Sequence, residues 1–161
     1  MTVQLRAYLN FPGTTREALE TYRDIFGGEL ILSTFGEFHA VPEGHEAAGK
    51  IMHAELTTEH FVLNAADAIP DMHPVTIGDN VNLALMGTGE EDLAALTAIF
   101  DRLAEGGEVE MPLQKQIWGD VYGAVVDRFA MHWMINVGGV GGDRGDAAGE
   151  EQAAPVADPT R

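Results

Sequence analysis

The sequence predicts an α+β fold in which one strand–helix–strands unit occurs twice in tandem. Three observations lead there. The same punctuation appears at 13–30 and again at 87–109. The first copy reads Gly13-Thr14-Thr15-Arg16-Glu17, an apolar set of Ala18, Leu19, Tyr22, Ile25 and Phe26, then Gly27-Gly28-Glu29. The second reads Gly87-Thr88-Gly89-Glu90-Glu91, then Leu93, Leu96, Ile99, Phe100 and Leu103, then Gly106-Gly107-Glu108. Outside these helical stretches, apolar and polar residues alternate with the period of two that marks half-buried strands. Finally, 161 residues of which 45% are hydrophobic suit one core. A duplicated unit of this kind cannot bury its sheet alone. Two copies side by side can share a curved sheet and enclose a pocket, and function is expected in that pocket.

The elements follow in order. A strand over 3–11 puts Val3, Leu5, Ala7 and Leu9 on one face and Gln4, Arg6, Tyr8 and Asn10 on the other. A capping box of Thr14 with Glu17 starts the first helix, and Gly27 or Gly28 stops it. Strands over 29–36, 50–57 and 60–65 complete the first unit. In 50–57, Met52, Ala54 and Leu56 oppose Ile51, His53, Glu55 and Thr57. The second unit opens with a strand over 80–86, where Val81, Leu83 and Leu85 oppose Asn80, Asn82 and Ala84. Its helix covers 90–105, and strands over 108–116, 121–127 and 131–137 follow. In the last, Met131, Trp133, Ile135 and Val137 oppose His132, Met134 and Asn136. One domain is therefore expected over 1–137, with modules at about 1–70 and 75–137. The linkers 37–49 and 66–79 read either as binding loops or as mobile surface. Residues 138–161 read as a disordered acidic Gly/Ala/Pro tail whose glycines lack the following helix a phosphate loop needs.

Charge and composition remove whole classes of function. The formal net charge is −17 and the pI ≈ 4.4, so nucleic acid is not an expected partner, because a polyanion is bound by releasing counterions against Lys and Arg. An anionic membrane surface is disfavoured likewise. No apolar run approaches the roughly 18 residues of a spanning helix. The first residues carry no charged leader with an apolar stretch, and there are no cysteines, so thiol catalysis and thiolate metal sites are out. A cytoplasmic location is expected.

The helix-facing sides of the strands are apolar. The opposite sides collect Arg6, Tyr8, His53, Glu55, Asn82, Asn136 and His132, mixed with Ala84 and Met134. An ordinary wet face would be dominated by long Lys and Glu side chains. Mid-sized hydrogen-bonding residues beside apolar ones are instead the lining expected of a semi-polar cavity.

These residues carry a family resemblance. Tyr8-Leu9-Asn10-Phe11 with Gly13, Glu17-Ala18-Leu19, Tyr22 and Phe26-Gly27-Gly28 resembles the PhnB-like branch of the vicinal oxygen chelate superfamily, the glyoxalase/bleomycin-resistance/dioxygenase group. The likeness continues through Met52-His53-Ala54-Glu55-Leu56, Met111-Pro112-Leu113-Gln114, Trp118-Gly119-Asp120 and Phe129 with His132-Trp133-Met134-Ile135. It implies paired βαβββ modules, a cup-shaped mixed sheet and a homodimer. Its metal-dependent members carry four ligand positions, which fall here on Arg6, Glu55, Asn82 and Met134. Only Glu55 is an ordinary ligand: arginine cannot coordinate, and Asn and Met suit zinc-like ions poorly. The resemblance thus implies a degenerate metal site, and neither a metal nor another cofactor is expected.

An Arg6–Glu55 pair facing across the cup reads either as a structural ion pair or as a ligand clamp. With that clamp, Tyr8, His53, Asn82, Gln114, Trp118, His132 and Met134 are the candidate ligand-binding residues for a small semi-polar organic molecule. The alternative is a metal-dependent lyase, isomerase or dioxygenase using a shifted set, His53, Glu55 and His132. No nucleophile–base pair can be assigned from spacing, and no glycine-rich turn suits S-adenosylmethionine, so whether a reaction is catalysed stays open.

Overall fold

The duplicated pattern folds as two βαβββ units. A computed structural model describes residues 3–71 and 73–141. The first unit contains β1 (Ala7–Phe11), α1 (Thr15–Phe26), β2 (Glu29–Thr34), β3 (Ile51–Thr57) and β4 (Val62–Asp67). The second contains β5 (Leu83–Thr88), α2 (Gly89–Ala104), β6 (Glu108–Lys115), β7 (Val121–Val126) and β8 (His132–Gly138). Each builds a four-stranded mixed sheet: sheet A in the order β1-β4-β3-β2 and sheet B in the order β5-β8-β7-β6. In each, the first strand runs parallel to the last and the other pairs are antiparallel. The expected shared sheet is thus two ladders. A groove of ≈ 570 Å³ between residues 4–7 and 83–85 keeps edge strands β1 and β5 apart.

Both helices place their apolar stripes on their own sheets. Ala18, Leu19 and Tyr22 of α1 and Phe100 and Leu103 of α2 are buried in one cluster with Leu9, Ala54 and Leu56 of sheet A and Val125, Trp133 and Ile135 of sheet B. The junction is aromatic. Tyr22 meets Trp133 edge-to-face with centroids 5.4 Å apart, and Phe129 at the β7–β8 turn packs on Tyr22 and Phe11. At its centre the Asp127 carboxyl accepts from the Tyr22 hydroxyl at 2.6 Å, Trp133 Nε1 at 2.9 Å and the amides of Phe129 and Met131.

Several boundaries differ from expectation. The first strand begins at Ala7, so Val3 and Leu5 are exposed rather than core-facing. Register pairs Ala7 with Leu63, and β4 starts at Val62, so the arm before Ala7 has almost no ladder to join. Likewise β5 starts at Leu83, leaving Asn82 ahead of the strand and Val81 exposed. Thr14 makes no side-chain cap on α1. Asp67, at the end of β4, replaces the capping box: its two oxygens accept from the backbone amides of Thr15 and Ile51. The stop at Gly27–Gly28 stands, and at Gly28 (φ +96°) an added Cβ would meet the Thr57 carbonyl oxygen at 2.2 Å. The tail expectation fails at its start. Gly138 belongs to β8, Val140 packs on the core, and the Gly141 amide donates to Glu90. Residues 142–161 lie outside the described part of the chain. The two linkers meet: Glu46, Ala47 and Lys50 from one side and Ile69, Pro70 and Pro74 from the other line a hollow of ≈ 490 Å³.

Candidate functional site

Strand parity decides which side chains leave the core. In sheet A, Leu9, Phe11, Ala54 and Leu56 point to the helix side, so Tyr8, Asn10, His53 and Glu55 emerge on the free face. Register sets Ile31, Glu55, Asn64 and Tyr8 in one row across β2, β3, β4 and β1. Long side chains on β1 and on the arm just before it reach across β4 to β3. Arg6 Nη1 donates to Glu55 Oε2 at 2.8 Å, and Tyr8 Oη lies 3.1 Å from His53 Nδ1. Between them, the buried Asn64 donates Nδ2 to the same Glu55 Oε2 at 3.2 Å. Arg6 is further fixed by Gln4, whose Oε1 accepts from Nε at 3.2 Å and Nη2 at 2.9 Å.

The cluster is anchored below and open above. The Arg6 and Glu55 side chains are 39% and 32% exposed, and Tyr8 is 50% exposed. The Asn64 hydrogen bond, and after it the Arg6 guanidinium, hold the Glu55 carboxyl below the usual carboxylate range against the opposing effect of burial. Partial burial pushes the Tyr8 hydroxyl upward. The Tyr8–His53 contact can run in either direction, according to the imidazole tautomer. Tyr8 can therefore present a donor or an acceptor outward.

Four of the nine residues expected at the site thus stand together: Arg6, Tyr8, His53 and Glu55. The others belong to the second unit. Met134 and His132 lie on β8, Gln114 lies on β6 opposite Tyr122, and Asn82 precedes β5. Trp118, 59% exposed, sits at the β6–β7 hairpin and meets Tyr122 edge-to-face. The free face of sheet B is the less polar of the two. Ala84, Met134, Ala124 and Met111 form one register row, and Met86 is 69% exposed. The 570 Å³ groove touches Arg6 but neither Tyr8, His53 and Glu55 nor His132 and Met134. Asn64 was absent from the expected site. Its signal was available: a short amide between Val62 and Ala66 on the free side of an otherwise apolar strand.

A family model described as the glyoxalase/bleomycin resistance protein/dioxygenase superfamily matches residues 8–135. The chain belongs to this superfamily. Protein PA1353 from Pseudomonas aeruginosa superposes with a TM-score of 0.73 at 34% identity, covering 86% of this chain and 99% of that one. Protein YjdN of Escherichia coli is 29% identical over 143 residues, which is 83% of this chain and 94% of YjdN. A Bacillus cereus structure described as a putative 3-demethylubiquinone-9 3-methyltransferase, PhnB protein, shares the fold with a TM-score of 0.63 at 21% identity, covering 84% and 99% of the two chains.

The residues at the four positions that the resemblance matches to metal ligands, Arg6, Glu55, Asn82 and Met134, are a poor donor set for a divalent ion. Arg6 brings a fixed positive charge, and it occupies the Glu55 oxygen that Asn64 also binds. Asn82 lies outside the ladder, and Met134 offers a thioether on the other sheet. The shifted set fails as well. His53 and Glu55 are neighbours on sheet A, whereas His132 on sheet B faces Glu110 at 3.7 Å. Among the described residues, no group of three His, Cys, Asp or Glu side chains could hold a metal. No described helix is long and apolar enough to cross a membrane.

Proposed function

We propose that this chain is a PhnB-like binding protein that takes a small, semi-polar organic molecule on the free face of sheet A, without a metal. The observation that carries this reading is the Arg6–Glu55–Asn64 network beside the Tyr8–His53 pair. Asn64 anchors it from within the sheet, and it presents polar atoms to solvent. A purely structural ion pair would not require a second polar pair beside it. The partial exposure of Arg6, Glu55 and Tyr8 leaves room for a ligand to complete the desolvation. The less polar free face of sheet B, with Met134, Gln114, Trp118 and His132, supplies the second wall. One chain does not close that wall over sheet A, so the proposal includes a homodimer in the cytoplasm whose second copy does so. Exposed Leu5, Met86 and Ile117 are the apolar side chains such a partner would cover.

The test is a fragment screen by amide-shift mapping on the isotope-labelled full chain. Hits are expected to perturb Tyr8, His53, Glu55 and Asn64 together, and to lose affinity in Arg6→Ala. Hits that map only to the hollow between the linkers, or that ignore Arg6→Ala, would overturn the assignment.

A further inference from the structure

The hydrogen-bond ledger of this cluster points to a chemical class of ligand, an inference that rests on the binding reading above. A guanidinium has five N–H donors, and three here are engaged, by Gln4 twice and Glu55 once. One N–H on Nη1 and one on Nη2 remain free. On Glu55, Oε2 accepts from both Arg6 and Asn64, whereas Oε1 has only a long 3.5 Å contact from Thr57. The ion pair therefore carries two unused donors on Arg6 and a weakly used acceptor on Glu55, and the two charges that carry them cancel.

That cancellation discriminates among ligands. A carboxylate gains the Arg6 donors but meets the Glu55 charge and an overall charge of −17. A cation gains Glu55 but meets Arg6. A neutral group carrying a carbonyl oxygen next to an N–H uses both sides and brings no charge to desolvate. Ile31, 52% exposed, flanks Glu55 on β2, and Tyr8 lies on the other side of the same row, so a flat apolar body has a surface on each side. We propose that this face recognises neutral carboxamide-type ligands, namely amides, lactams or ureides attached to an apolar or aromatic body. Here the arginine does what a divalent ion would otherwise do for an oxygen ligand, and the glutamate adds a demand for an N–H that an ion could not make.

The test uses three isosteric probes, benzamide, benzoate and benzamidine, titrated into the labelled full chain at pH 7 and low salt, with Tyr8, Glu55 and Asn64 amide shifts as the readout. Benzamide is expected to bind several-fold more tightly than either ion. Glu55→Gln leaves Arg6 uncompensated and should shift the preference toward benzoate. Arg6→Met leaves Glu55 uncompensated and should shift it toward benzamidine. Benzoate binding the wild type as well as benzamide does, or variants that leave the ranking unchanged, would overturn the class. If fragments of other chemistry occupy the face while all three probes fail, the class falls and the binding site stands. If nothing perturbs the face, both fall.

Discussion

Asp127 links the two units that position the site, and its removal has a calculable effect. The Asp127→Ala variant strips the acceptor from the Tyr22 hydroxyl and Trp133 Nε1, on residues 0% and 2% exposed, and from two turn amides. A buried donor left without a partner costs about 1–3 kcal/mol. The turn amides are only part-buried and can recover water, so the two side-chain donors dominate. Their sum is roughly 2–6 kcal/mol. That is a large share of the roughly 5–15 kcal/mol a domain has in total. Urea unfolding measures it, followed by far-UV circular dichroism and by tryptophan fluorescence, in which the buried Trp133 reports the junction and the exposed Trp118 changes little. Tyr22→Phe is the control: it keeps the ring packing, leaves Asp127 three donors, and should cost about 1 kcal/mol. In the double variant the Tyr22 hydroxyl can no longer be orphaned, so the two effects should sum to less than additivity. A loss below about 1 kcal/mol for Asp127→Ala, or strict additivity, would show that this carboxyl does not fasten the units together.

Three further outcomes are expected. Asp67→Ala orphans the Thr15 and Ile51 amides and should cost roughly 2–4 kcal/mol in the same assay, with Asp67→Asn costing less; equal losses would show that the amide contacts do not matter. Gly28→Ala combines positive φ with a Cβ driven into the Thr57 carbonyl and should cost roughly 2–4 kcal/mol; a neutral result would show that the β2–β3 pairing tolerates a shift. Glu55 is held below its unfolded value, so its contribution to stability is fully present above the ordinary carboxylate range and is lost as pH falls through the folded value. The stability gap between wild type and Glu55→Gln should therefore close on acidification from pH 6 toward pH 3. A gap that widened would mean that burial rather than hydrogen bonding governs this carboxyl.

What could be read ahead of the structure follows from what each signal reports. Period-two alternation reports side-chain chemistry. It put Tyr8, His53 and Glu55 on the free side of sheet A and Trp133 in the core, where they are found. It says nothing of whether a neighbouring strand exists. Val3 and Leu5 carry the pattern of a strand with almost no ladder to join. Capping was misassigned because the partner of the Thr15 amide lies 52 residues away, beyond any local motif. Duplication suggested one shared curved sheet, whereas the units form two separate ladders, and nothing local marked their junction. The hydrogen bond from Tyr22 to Asp127, across 105 residues, joins the units through their helix side and leaves His132 on a different sheet from His53 and Glu55. A ligand set drawn from all three therefore read as plausible in one dimension and does not assemble in three.

In the proposed function, a guanidinium seated on Glu55 stands where a divalent ion would otherwise bind. Elemental analysis joined to native mass spectrometry, on chain purified in chelator-free buffer, tests it most directly. A dimer with no stoichiometric divalent metal is expected, both for the wild type as purified and after incubation with zinc, nickel or manganese salts. A metal ion retained at one equivalent per chain, and released in His53→Ala or Glu55→Ala, would contradict it.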